Sequence, residues 1–232
     1  MIAGRVLGII GGMGPAATAD FFSELVRRTD AAKDWDHLHV IIDNDVTIPS
    51  RTRALLYGEE SPVNAMIRSG KKLAAAGCDF IAVPCNSAHY FYPDVAPALE
   101  IPWIDMVETV SAHLAGYRRV LIMGAFVTVT RRVYDRFLPQ ACYMEKEDND
   151  LAVELIEKLK TGSPHESEKE RLLSRIATKY SSIDCLLLAC SELPMAFSEG
   201  KRAGYTIVSA NRVYIERLIR IGKGLEEPRR SS

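Results

Sequence analysis

The chain has 232 residues, 47% of them hydrophobic and 25% charged, with 29 Lys and Arg against 30 Asp and Glu. This length buries a full core, as one large domain or two small ones. The formal net charge of -1 leaves no electrostatic footprint for a nucleic acid or a membrane surface. No apolar run approaches the ~18 residues of a bilayer-spanning helix. The five cysteines are an odd number, none spaced for zinc, and Met1 to Gly12 is too short for a signal peptide. The expectation is a cytoplasmic protein with free thiols.

Arg5 to Ile10 reads as an apolar strand, closed by Gly11-Gly12-Met13-Gly14-Pro15. Pro15 suits the first turn of a helix, where its missing N–H costs nothing. Ala16 to Thr29 then carries an apolar face at helical spacing: Ala19, Phe22, Leu25 and Val26. Leu38 to Ile42 is a second strand ending in Asp43-Asn44-Asp45, and Val46 to Gly58 is a loop with a short helical piece. Ser61-Pro62 opens a helix with Met66, Ile67 and Leu73 on its buried stripe, stopped by Gly77. Asp79 to Ser87 is a buried strand that delivers Cys85 at its C-terminal end. A helix near Ala88 to Leu99 and a short strand at Pro102-Trp103-Ile104 complete the first half. The second half repeats the scheme. Asp105–Gly116 is a helix, Arg119–Met123 a strand, Thr130–Leu138 a helix, and Cys142–Glu145 a weak strand. Leu151–Lys160 and Glu166–Tyr180 are helices, Asp184 to Glu192 a strand delivering Cys190, Thr206-Ile207-Val208 a strand, and Asn211–Ile221 the last helix.

The alternation predicts an α/β fold with parallel sheets flanked by helices. Two internal echoes predict two similar lobes related by a pseudo-twofold. Arg5-Val6-Leu7 recurs as Arg119-Val120-Leu121, and Asp79…Cys85 recurs as Asp184…Cys190. With no Gly-, Pro- or Ser-rich linker, the expected division is 1–104 with 209–232 in one lobe and 105–208 in the other. The site is expected in the cleft between them.

Parallel sheets bind ligands beyond the C-terminal ends of their strands, where Cys85 and Cys190 are expected, each ahead of a helix N-terminus that favours a thiolate. Two thiols facing each other across a small ligand are the arrangement for taking a proton from one face of a carbon and returning one to the other. Free cysteine is also among the most buried residue types, and Cys78 and Cys185, inside apolar stretches, read as core. A Cys85–Cys190 disulfide would instead make a redox switch, but a hydrated cleft would hold the sulfurs apart. His89, four residues after Cys85, suggests a Cys–His nucleophilic pair, with no acyl-transfer motif beside it. A different class is also open: Gly12-Met13-Gly14-Pro15-Ala16-Ala17 fits G-x-G-x-x-A after a strand, with Asp43 or Asp45 as a ribose ligand, which points to a nucleotide-binding oxidoreductase but leaves the paired cysteines unexplained.

Several stretches resemble the aspartate racemase branch of the aspartate/glutamate racemase family. They are Gly11-Gly12-Met13-Gly14-Pro15 with Ala17-Thr18-Ala19-Asp20-Phe21-Phe22, Ile48-Pro49-Ser50-Arg51-Thr52, Pro84-Cys85-Asn86-Ser87-Ala88-His89-Tyr90-Phe91-Tyr92, and Ala189-Cys190-Ser191-Glu192-Leu193-Pro194. The resemblance implies a cofactor-independent, two-lobed, typically dimeric enzyme for a small acidic amino acid, with Cys85 and Cys190 as paired acid and base. By analogy with glutamate racemase, Cys85 would take the proton of the D-isomer and Cys190 that of the L-isomer. The resemblance implies Arg51 and Lys160 for the substrate's side-chain carboxylate, and Thr128, six residues before Tyr134, for a substrate contact. Asn86, Ser87 and Ser191 offer donors to the α-carboxylate and to the charge that develops on proton loss, and Met13 lines the cleft through its backbone. Glu192 would raise the Cys190 pKa, orient a neighbour or cap the following turn. The chain departs from the family pattern at Gly124-Ala125-Phe126-Val127-Thr128, where Gly-Thr-x-Gly-Thr is common, and at Ser209-Ala210-Asn211, where Asp-x-Thr is common. Relatives that isomerise maleate, decarboxylate arylmalonates or racemise hydantoins leave the substrate open.

Overall fold

The computed structural model describes residues 4–202 and 204–230. It contains two sheets. The first, ordered β2-β1-β3, joins β1 (Leu7–Gly11), β2 (Val40–Asn44) and β3 (Phe80–Ala82), all parallel. The second, ordered β5-β4-β6-β8-β7, joins β4 (Val120–Gly124), β5 (Ala141–Tyr143), β6 (Cys185–Ala189), β7 (Gly200–Arg202) and β8 (Tyr205–Ser209). Among the described residues only the β7–β8 pair is antiparallel, and the sequence reading missed β7, an exposed edge strand without apolar residues. The predicted strand at 102–104 is reduced to one bridge, Trp103 beside Ile81.

The sheets share a plan: a central strand (β1 or β4), the next strand on one side (β2 or β5), the third (β3 or β6) on the other. Asp79 and Asp184 start both centres the same way. Asp79 accepts from Val6 N at 2.6 Å, and Asp184 from Arg118 N at 2.8 Å and Arg119 N at 2.9 Å. The register corrects one echo by a residue. Leu7 pairs with Phe80 and Val120 with Cys185, so Leu7 answers to Val120 rather than to Leu121. In a strand that single step exchanges the two faces.

The nine α-helices among the described residues are α1 (Pro15–Arg28), α2 (Arg51–Tyr57), α3 (Val63–Ala75), α4 (Tyr92–Val95), α5 (Met106–His113), α6 (Phe126–Thr130), α7 (Lys146–Thr161), α8 (Glu166–Lys179) and α9 (Ala210–Gly222). One cluster of buried residues takes side chains from both sheets (Leu7, Ile9, Val120, Leu187) and from α1, α5 and α9 between them. A second packs α7 and α8 on the outer face of the β4–β6 sheet, and a third packs α3 on the outer face of the β1–β3 sheet. The lobes therefore share an inner helical layer.

Three helix expectations change. The buried face of α1 is Ala17, Thr18, Phe21 and Leu25, while Phe22 and Val26 are exposed. Thr18 lies inward because its hydroxyl accepts from Gly12 N at 3.1 Å and donates to Gly14 O at 2.9 Å. The stretch 88–99 is α4 flanked by two 3₁₀ turns, Asn86–Phe91 and Ala96–Ala98, because Pro93 and Pro97 lack the N–H that a continuous helix needs. The stretch 130–138 starts earlier, as α6, and breaks at Arg132, the one described non-glycine residue with positive φ.

Candidate active site

Segments following each of β1 to β6 converge at the C-terminal ends of the strands and enclose a cleft of about 320 Å³. They come in topological pairs. The loops after the central strands bring Met13 and, opposite, Ala125 and Phe126. The helices after the second strands, α2 and α7, bring Arg51 and Lys160. The loops after the third strands bring Cys85 and Cys190. Two glycines permit the convergence. A Cβ on Gly12, whose φ is 87°, would lie 2.2 Å from Asp45 O, and one on Gly124 would lie 2.7 Å from Ala189 O, next to Cys190.

Cys85 follows β3 by three residues, 9% exposed. Among the described residues no α-helix begins directly after either cysteine. Cys85 caps the 3₁₀ helix Asn86–Phe91, and Cys190 precedes the 3₁₀ turn Leu193–Met195, so a short 3₁₀ segment stands in each case where an α-helix is expected. His89 is fully buried and does not touch the Cys85 thiol. Its Nε2 accepts from Met106 N at 3.0 Å, so Nδ1 carries the proton and donates to Cys85 O at 2.9 Å. Burial lowers the His89 pKa and keeps the ring neutral, although Asp105 acts in the other direction. The Cys–His pair is thus replaced by a backbone prop. Tyr134 donates to Asn86 Oδ1 at 2.5 Å, and the Ser87 and Thr128 hydroxyls lie 3.1 Å apart. Both bonds tie the Cys85 loop to the opposite lobe. Thr128 itself is fully buried and does not line the cleft, contrary to its expected substrate contact: it stands behind Ser87.

Cys190 is half-buried and immediately follows β6. Its thiol donates to Glu192 Oε2 at 2.9 Å, and the same oxygen accepts from Ser191 Oγ at 2.9 Å. Burial pushes the Cys190 thiol well above its ordinary range. The Glu192 charge and hydrogen bond push the same way, as does the charge of Cys85, against the Glu192 backbone N–H.

The cations differ too. Arg51 opens α2 behind the Ser50 cap and donates to Pro49 O at 3.1 Å and Met13 O at 3.2 Å, and no carboxylate pairs with it among the described residues. Lys160 is paired with Glu157 at 2.7 Å. Burial works to lower its pKa, but the Glu157 bond and the charges of Glu192 and Cys190 raise it overall. Two buried donors on cleft residues, Arg51 Nε and Asn86 Nδ2, have no hydrogen-bond partner, and a carboxylate would satisfy both.

Eight of the nine expected site residues line the cleft, Thr128 being the exception. Ser50, Thr52, Arg53, Val153, Ile156 and Glu157 also line it and were missed. Val153, Ile156 and Glu157 stand seven, four and three residues before Lys160, the spacing of one helix face, and that signal was available once Lys160 was singled out. In the Gly-rich loop Thr18 takes the Gly12 N–H, which removes one of the donors a phosphate would use. Asp45 is bonded to Thr47 and Asp43 to Lys72, so neither suggested ribose ligand is free.

A family model described as Asp/Glu/Hydantoin racemase matches residues 10–218. Among curated proteins, the broad specificity amino-acid racemase RacX of Bacillus subtilis is 30% identical over 138 residues, which cover 57% of this chain and 60% of that protein's length. Among solved structures, an aspartate racemase from Picrophilus torridus is 30% identical with a TM-score of 0.82 and 94% of each chain covered. An aspartate racemase homologue from Pyrococcus horikoshii shares the fold at 22% identity, with a TM-score of 0.75 and 94% and 99% covered.

Proposed function

The chain belongs to the Asp/Glu/hydantoin racemase family, and from that membership we propose that it racemises a small acidic amino acid, aspartate before glutamate, by proton transfer between two cysteines. The observation that carries this reading is the pair of thiols, Cys85 and Cys190, lining one cleft from equivalent points of two sheets. In the reaction, the thiolate of one cysteine takes the proton on Cα: the C–H bond breaks, an S–H bond forms, and the electron pair spreads into the α-carboxylate. The S–H of the other cysteine returns a proton to the opposite face and is left as thiolate. Asn86 Nδ2 serves the α-carboxylate and its growing charge, joined by the Ser191 hydroxyl when it turns from Glu192 to the substrate. Arg51, assisted by Lys160, serves the side-chain carboxylate, and Ser87, held by Thr128, keeps the Cys85 loop in place. The resemblance adds that no cofactor takes part.

The same reading sets the lobes at 1–104 with 209–232 and at 105–208, a division supported by the shared strand plan. It includes a homodimer, supported by the resemblance, and a reducing cytoplasmic setting, supported by five free cysteines. Among the described residues no helix is long and apolar enough to cross a membrane.

Incubating the protein in D₂O with single enantiomers of aspartate, glutamate and neutral amino acids tests the reading. Loss of the α-proton signal with appearance of the opposite hand is expected without added cofactor, for aspartate above all. Cys85→Ala and Cys190→Ala are each expected to abolish racemisation. Undiminished racemisation in either variant would sink the two-thiol mechanism, and exchange confined to non-acidic substrates would sink the substrate assignment.

A further inference from the structure

The two cysteine loops are topologically equivalent but not chemically so. Counting from the cysteines, Cys85-Asn86-Ser87 answers to Cys190-Ser191-Glu192, so a hydroxyl in one loop is replaced by a carboxylate in the other. Ser87 turns away from its cysteine toward Thr128. Glu192 turns back: 7% exposed, it accepts both from Cys190 Sγ and from Ser191 Oγ, each at 2.9 Å. We propose that Glu192 is a positioning residue that makes the thiols unequal before substrate arrives, holding the proton on Cys190 and leaving Cys85 as the base of the pair.

The inference rests on the racemase reading and deepens it. A carboxylate at hydrogen-bond distance stabilises S–H and repels S⁻. The other ionisable groups acting on Cys190 are Cys85 from the β3 loop, whose charge reinforces Glu192, and Lys160 from α7, whose charge opposes it. Lys160 is engaged by Glu157 and leaves the balance with Glu192. The free enzyme is therefore set for the enantiomer whose α-proton faces Cys85. Turnover of that enantiomer moves one proton onto Cys85 and one off Cys190. The Cys190 thiolate left beside Glu192 is repelled by it: either it takes a proton from solvent while Cys85 releases one to solvent, or it takes the α-proton of the next substrate of the opposite hand while Cys85 gives its proton to that product.

Exposure and electrostatics predict opposite orders of reactivity, which makes the inference testable without turnover. Cys190 is the more exposed thiol. The full-length protein is treated with iodoacetamide at several pH values, and alkylation of each cysteine is followed by peptide mass spectrometry. Cys85 is expected to react before Cys190, with the Cys190 pH profile displaced to higher pH. In Glu192→Gln, Cys190 alkylation at pH 7.5 is expected to rise about tenfold, as for a drop of one unit in pKa, while Cys85 changes less than about twofold. Glu192→Asp, which keeps the charge, is expected to retain the native order. Cys190 reacting as fast as Cys85 in the native chain, or unchanged in Glu192→Gln, would overturn the inference. If Glu192→Gln does not fold, the displaced profile in the native protein decides alone. The native order in a protein that exchanges no α-proton in D₂O would support the thiol inequality and remove only the racemase reading.

Discussion

Cys85 and Cys190 occupy matching positions in two sheets of the same plan, yet their surroundings hold them by different means. Around Cys85 the hydrogen bonds go to the backbone and to neighbours: His89 to its carbonyl, Tyr134 to Asn86, Thr128 with Ser87. Around Cys190 the sulfur itself is engaged, its thiol donating to a buried carboxylate. The cations follow suit, Arg51 fixed by two carbonyls and free of carboxylates, Lys160 already paired with Glu157. One half-site offers an anion a guanidinium with an unpartnered Nε, and the other pairs its ammonium with a carboxylate. The two halves thus share a strand plan and differ in how they hold their thiols and cations.

The sharpest way to break this contrast is through the cations. Arg51→Ala is expected to raise KM for aspartate about a hundredfold, the loss of a charge-assisted contact in a partly buried site. Lys160→Ala is expected to raise it about tenfold or less, because its ammonium must first leave Glu157. Steady-state kinetics on both enantiomers checks the order, and equal effects would erase the difference between the halves. Next comes the prop beneath Cys85. His89→Ala leaves the Met106 N–H buried without a partner and the Cys85 carbonyl with Ala88 N alone, so a loss of about 1–3 kcal/mol in stability is expected by urea denaturation. Iodoacetamide alkylation of Cys85 is expected to change, and that of Cys190 to stay as in the native chain. The smallest effect lies farthest from the thiols, in the pairing of α7, which carries Lys160, with α8. Lys158 and then Ser167 hold the Glu168 carboxyl down at about 2. A depressed carboxyl stabilises the fold above its unfolded value of about 4.3 and ceases to do so as pH falls toward 2. Circular dichroism between pH 5 and pH 2 is therefore expected to show a loss of stability that Glu168→Gln reduces.

Much of this contrast could be read from the chain before folding. The strands around Cys85 and Cys190 are apolar runs between turn signals, and both matching aspartates proved to start a sheet centre. The less legible features were those set by tertiary contacts. Thr18 is polar and buried because it clamps the Gly-rich loop, which rotated the expected face of α1. Thr128 carries a motif position but spends its hydroxyl behind Ser87. Glu192 reads from the sequence only as a neighbour of Cys190: the echo of Asp79…Cys85 in Asp184…Cys190 sets it against Ser87, but what each side chain bonds is fixed by tertiary contacts. Glu157 went unseen because a charged residue on a helix reads first as solvated surface.

The inner layer of α1, α5 and α9 has a consequence for how the protein comes into being. On the ribosome the first sheet is synthesised by residue 82, yet one face of it is covered in part by α9, which ends at Gly222. Neither sheet can close its inner face until nearly the whole chain has emerged. Two lobes that look separable in the finished molecule are thus bound to a single, late and concerted folding event.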